Sequence, residues 1–385
     1  MSVPTVSARP LTHGPRLVAV DRPGARLAAV RLDVHVGSAD ERPGERGLAH
    51  VVEHLVVRCL LAGGRVGDGA LADARTGRER TGYSVLVRRA DAPAALDVLT
   101  AALGELRVPP AVLAAELAAI RRETAQRAAD VRRRLQEALL AALWDGTSYA
   151  HSPLGDAAVL DALTEDDVRR FHARWYRPSR ATAVLAADRA SGELAALAER
   201  WTGRPGADGE PAVSAGRDAR PAVRSAYREL PATASAGAGA GRAAGLAFAV
   251  AAAEGDGPYA HDCRDLARRA VRAAGGVDMR WLELRGQVCV WAMLRAPDAA
   301  AATRAVRTAL RAARERLLAA DGAAWLRAEA LIPHLRAVED LETTAARATD
   351  GGAGPPASVS PSDVAAVIAL WERQTARIDD AGDAS

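Results

Sequence analysis

The sequence predicts an α+β fold built from two similar domains, each a sheet packed with helices. In the N-terminal half, β-rich runs alternate with segments of helical periodicity. Residues 204–222 are rich in Gly, Pro and Ala, show no periodicity and separate the halves as a linker. Beyond them the same coarse pattern returns, so the expected domains are residues 1–203 and 223–385. A chain of 385 residues that is 49% hydrophobic and 26% charged has ample material for two cores.

Leu17 to Val20 and Leu27 to Val36 are β-rich and flank the turn cluster Asp21-Arg22-Pro23-Gly24, which predicts a pair of neighbouring strands. A helix is expected from Gly47 to about Leu61, a strand over Tyr83 to Arg88, and a helix over Ala92 to Leu106. Pro109-Pro110 opens an Ala/Arg/Glu/Leu run that reads as one long helix to Trp144. Another helix, Glu165 to Trp175, leads into an apolar strand, Ala181 to Ala187. In the second half, strands are expected at Leu246 to Ala252 and Gln287 to Leu294. Helices there span Tyr259 to Ala274, Ala299 to Leu318, Ala323 to Ala348 and Pro361 to Gln374.

All 51 basic residues are arginine, and asparagine is absent as well. Without lysine there is no P-loop lysine, Schiff-base enzyme or Ser-Lys nucleophile pair, and without asparagine no Cys-His-Asn protease. Carboxylate, histidine, serine and metal chemistry remain. The net charge of +3 is spread along the chain, which argues against nucleic acid as a partner. Cys59, Cys263 and Cys289 are few and far apart, as in a protein of a reducing compartment. Residues 1 to 30 hold no apolar signal core and no later stretch is long and apolar enough to span a membrane, so the expected location is cytoplasmic.

One motif stands above this background. His50-Val51-Val52-Glu53-His54 places two histidines at i and i+4 on one helix face. Both imidazoles can grip a tetrahedral zinc across that turn, and Glu53 between them can take a proton from water. Two solvated histidines beside a surface glutamate are the plain alternative.

The residues around the motif extend it. Gly37-Ser38-Ala39-Asp40-Glu41-Arg42-Pro43-Gly44-Glu45-Arg46-Gly47-Leu48-Ala49-His50 resembles the G-S-x-x-E-x-x-G-x-x-G-x-A-H approach to the metal helix of the pitrilysin/insulinase family, inverted-zincin metallopeptidases that include mitochondrial processing peptidase. Asp73-Ala74-Arg75-Thr76, with Thr81 and Tyr83 behind it, is similar to that family's N-A-x-T-x-x-x-x-T-x-Y strand. Leu163-Thr164-Glu165-Asp166-Asp167, Phe171-His172 and Trp175-Tyr176-Arg177-Pro178 resemble its following helix and exit. The resemblance covers residues 11 to 190 and fades beyond them.

It implies a processing-peptidase-like fold of two mostly antiparallel sheets, the second domain degenerate. It also implies a Zn²⁺ cofactor held by His50, His54 and a later glutamate that follows another by seven residues. Glu116 and Glu123 fit, since 123 − 116 = 7, which makes Glu123 the ligand and Glu116 its support. Glu53 is then the catalytic base, and a peptide substrate lies along the strand of Asp73, Ala74 and Thr76. Asp73 stands where the family has Asn, in keeping with a chain that has no asparagine. His151, in Tyr149-Ala150-His151-Ser152-Pro153-Leu154-Gly155, matches a family loop and reads as a packing residue.

In the second domain the family carries an Arg and a Tyr that reach substrate. Arg285 keeps the first, but Cys289 falls where the Tyr would be. A partner chain of the same fold, in a homo- or heterodimer, would supply what is missing. The resulting expectation is a zinc endopeptidase for short or unfolded peptides, in leader-peptide removal or peptide turnover. A non-catalytic assembly subunit is the main alternative. A small-molecule metallolyase resembling S-ribosylhomocysteine lyase fits the length and two-domain layout less well.

Overall fold

The computed structural model describes residues 5–9, 11, 14–61, 66, 69–202, 225–230, 243–251, 260–284, 287–326, 342, 345 and 359–382. The linker expected at 204–222, most of the helix expected at 323–348, and Arg285 lie outside the described residues. By contacts the chain forms two units, one of Met1–Thr124, His151–Arg217 and Arg336–Pro355, the other of Ala125–Ala150, Asp218–Leu335 and Pro356–Ser385. Each combines a sheet with helices, the expected α+β class. No described helix is long and apolar enough to cross a membrane.

The strands of the first unit are β1 (Thr5–Arg9), β2 (Arg16–Asp21), β3 (Leu27–Val34), β4 (Leu71–Thr76), β5 (Thr81–Arg88) and β6 (Ala181–Ala187). They form one sheet in the order β1-β2-β6-β3-β5-β4, antiparallel except for the parallel pair of β2 and β6. The hairpin expected across residues 21 to 24 does not form, because β6 lies between β2 and β3. All seven β6 residues are buried. Such a strand needs neighbours on both edges and cover on both faces, and its demand overrides a local turn signal.

Leu17, Val30, Leu32, Tyr83, Val85 and Leu185 line the main core face of this sheet. Helix α1 (Leu48–Val56) packs into that core with eight of its nine residues buried. Nine residues are too few for a helix to persist alone, so packing holds it, at about 1.5–3 kcal/mol for each fully buried Val or Leu. The chain then continues as one π-type turn, Val57–Leu61. Helix α2 (Ala92–Ala101) covers β3 and β5.

The run expected as one helix from Pro110 to Trp144 is two. Helix α3 (Pro110–Ala129) stops at Asp130, whose backbone is extended and whose side chain accepts the N–H groups of Arg132 and Arg133 at 2.9 and 3.3 Å, starting α4 (Val131–Leu143). Helical composition alone hides such a break, because the capping aspartate looks like any surface acid. Helices α5 (Ala157–Ala162), α6 (Glu165–Trp175) and α7 (Ala190–Thr202) complete the described helices of the first unit. Thr164 and Asp167 form a capping box at the start of α6.

In the second unit β7 (Ser225–Leu230), β8 (Ala243–Ala251), β9 (Asp278–Leu284) and β10 (Gln287–Arg295) make an antiparallel sheet, order β7-β8-β10-β9. Helices α8 (Ala260–Gly275), α9 (Ala299–Leu318) and α10 (Pro361–Gly382) bury Val271, Leu310, Ile368 and Trp371 with Phe248 and Val290. Helix α4 packs on β7 and β8. Cys289 is fully buried, and its Sγ receives the indole N–H of Trp144 at 3.3 Å. The position where a tyrosine was expected to face substrate is thus an interior packing site of this unit.

Candidate metal centre

Helix α1 presents His50 and His54 one turn apart, with ring centroids 4.7 Å apart. Donor atoms of His50, Glu53 and His54 all lie within 4.8 Å of one another. Glu123, from α3, brings Oε2 to 3.4 Å from Nε2 of His50 and 3.4 Å from Nε2 of His54. Those separations are long for N–H···O hydrogen bonds, which cluster near 2.9–3.0 Å. They match the edge of a tetrahedron whose centre lies about 2.0–2.1 Å from each donor, roughly 3.3 Å. Two imidazoles and one carboxylate at this spacing fit a zinc-sized ion.

On its far side His54 is held by Glu116, whose Oε2 lies 3.2 Å from Nδ1. A carboxylate there fixes the tautomer that leaves Nε2 free to bind a metal. Glu116 and Glu123 lie two helical turns apart on one face of α3, about 10 Å along the axis, and so reach the pair from different sides. His50 differs: its Nδ1 is buried with no hydrogen-bond partner among the described residues.

Glu53 is buried, and its Oε2 accepts the Thr76 hydroxyl at 2.6 Å. Behind it the hydroxyls of Tyr83 and Tyr176 meet at 2.6 Å. Burial pushes both phenols well above their usual range, and the nearby Glu53 carboxylate raises them further. Both remain neutral, so the wall beside Glu53 is polar without carrying charge.

Glu53, His54, Val57, Arg58, Ala72, Asp73, Ala74 and Glu116 line an open cleft of about 310 Å³. One wall is β4, the outermost strand of its sheet, paired on one side only, with Asp73 opposite Ser84 and Ala74 opposite Tyr83. Leu71, Ala72 and Asp73 are exposed. Gly37 holds this strand pair near α1: a Cβ there would come within 2.4 Å of the Arg78 backbone. The following amides of Ser38 and Ala39 donate to the carbonyls of Gly77 and Arg78.

The structure therefore brings His50, Glu53, His54, Glu116 and Glu123 together, with Asp73 and Ala74 on the cleft wall. Thr76, expected to meet substrate, spends its hydroxyl on Glu53. Thr76→Val is expected to lower kcat about tenfold with KM nearly unchanged, and Thr76→Ser to restore it; steady-state kinetics on an unstructured peptide would check this. Sequence reasoning read His151 as a packing residue and did not pair it with Glu41. Their carboxylate and imidazole meet at 3.1 Å.

The family model for insulinase, peptidase family M16, matches residues 16–59. An uncharacterized zinc protease of Streptomyces coelicolor is 27% identical over 233 residues, 58% of this chain and 51% of the relative. The chain spans about half the length of the curated relatives it matches. A protease from Helicobacter pylori has the same fold, with a TM-score of 0.72 over 95% of this chain and 96% of the other, at 14% identity. The periplasmic protease PqqL of Escherichia coli aligns over 96% of this chain and 44% of its own length, with a TM-score of 0.63 and 16% identity. In its sheet order, its H-x-x-E-H helix and these matches, the chain is similar to the insulinase (M16) family of peptidases.

Proposed function

We propose that the chain is a zinc-dependent endopeptidase acting on short or unfolded peptides. The observation that carries this reading is the placement of Glu123 Oε2 at 3.4 Å from both imidazole Nε2 atoms, with Glu53 alongside. His50, His54 and Glu123 would hold the ion. When bound, zinc supplies Lewis acidity to the scissile carbonyl and acidifies water. Glu53 accepts the proton of the attacking water at Oε1 and returns it to the leaving nitrogen, while Thr76 keeps Oε2 in place. The neutral Tyr83 and Tyr176 behind it leave Glu53 the proton acceptor on that wall.

The open edge of β4 suits an extended peptide, which would add as a further strand beside Asp73 and Ala74. Only an unfolded segment can offer its main chain in this way, hence the substrate class. Asp73, exposed on the wall, disfavours acidic side chains next to the scissile bond. Arg285 keeps its proposed substrate-binding role in the second domain.

A same-fold partner completes the proposal. The buried Cys289 leaves the chain without the expected tyrosine, and PqqL is a single chain more than twice the span aligned here. A cytoplasmic location is supported by the lack of any disulfide among Cys59, Cys263 and Cys289.

The deciding experiment measures zinc per chain and cleavage of a quenched fluorescent peptide, alone and mixed with any same-fold chain encoded nearby. About one zinc per chain is expected, with cleavage lost to chelator and regained on zinc addition. A chain that takes up no zinc would be a non-catalytic subunit. Full activity of the chain alone would remove the partner.

A further inference from the structure

Glu41 lies nine residues before the first metal-binding histidine, since 50 − 41 = 9, and its side chain is fully buried. One oxygen accepts the amide of Ala49 at 2.8 Å. The other accepts the amide of Gly47 at 2.9 Å and lies 3.1 Å from Nε2 of His151. Burial raises the Glu41 carboxyl, and the hydrogen bonds from His151, Gly47 and Ala49 oppose that shift. A carboxylate in this position also meets the positive end of the α1 dipole.

The backbone is interlocked at the same point. Gly47 has φ 103° and Gly155 φ 81°, and a Cβ on Gly155 would come within 2.4 Å of the Gly47 Cα. The amide of Asp156 donates to Arg46 O at 3.3 Å. The loop that starts at His151 is therefore pressed against the turn that starts α1.

We infer that Glu41 and His151 are positioning residues that set the aim of His50. The second observation behind this is the lone Nδ1 of His50. His54 is oriented by Glu116 at Nδ1, but among the described residues no hydrogen bond reaches Nδ1 of His50, so the aim of its ring depends on where the backbone of the first α1 turn is held. Glu41 grips the amide immediately before it, and His151 fixes Glu41. The inference rests on the zinc reading of this site.

The test compares wild type, His151→Ala, His151→Gln and a destabilised control remote from α1, Val184→Ala in β6. Zinc affinity is read by chelator competition and stability by melting of the metal-free protein. His151→Ala is expected to bind zinc about tenfold more weakly. Gln, which can still donate to Glu41, regains most of the loss, and the control keeps wild-type affinity despite a lower Tm. Wild-type affinity in His151→Ala overturns the inference, as does an equal loss in the control. If the wild type itself takes up no zinc, the zinc reading fails separately, and amide hydrogen exchange at Ala49 decides: faster exchange in His151→Ala supports the pair, unchanged exchange overturns it.

Discussion

Glu53→Gln is expected to reduce peptide hydrolysis by about 10³-fold while leaving zinc near one per chain. The carboxamide has the shape of the carboxylate, and its carbonyl oxygen can still accept the Thr76 hydroxyl that reaches Oε2 at 2.6 Å. What it lacks is an oxygen able to take a proton. The three atoms assigned to the ion belong to His50, His54 and Glu123, so the metal stays. Stability should change little, because the variant removes a buried charge beside two tyrosines that resist ionisation. Two measurements decide the matter together, elemental analysis and initial rates. Turnover within tenfold of wild type, or loss of the metal, would remove Glu53 from the role of base.

Glu123→Ala should have the second largest effect, on binding. It deletes the only anionic member of the proposed donor set and leaves two imidazoles on one helical turn. Zinc affinity should fall by more than about 100-fold, beyond the 10–100-fold typical of losing an outer partner. Glu116→Ala, which removes only the support at Nδ1 of His54, belongs in that smaller range. Chelator competition on both variants separates the roles. If Glu116→Ala were the more damaging, the two glutamates would have to exchange assignments.

The site was unevenly legible. His50, Glu53 and His54 could be read directly because an i, i+4 pair is a local fact of helix geometry. Glu123 could be reached only through a resemblance, since a glutamate among Arg121, Arg122 and Arg127 looks like any solvated helix face. The hydrogen bond from Thr76 to Glu53 was not legible, because which side of an edge strand meets the helix depends on packing. Glu41 and His151 stand 110 residues apart, and nothing in either segment alone announces the other.

Strand order shows the same division. The apolar run of β6 was plain, yet its place between β2 and β3 was not, because the turn cluster at 21–24 argues for a hairpin and only burial on both faces argues against it. The break at Asp130 was hidden inside a helical composition for a similar reason.

By itself, then, the sequence determined the α+β class, most helix and strand positions, the H-x-x-E-H face and the chemistry that a chain without lysine and asparagine can perform. These depend on periodicity, capping and residue type, which act over a few residues. Tertiary structure decided the strand order, the meeting of Glu123 with both imidazoles, the hold of Thr76 on Glu53 and the grip of Glu41 and His151 on α1. Each of these joins segments far apart in the chain, and their proximity is set by which buried faces must cover one another.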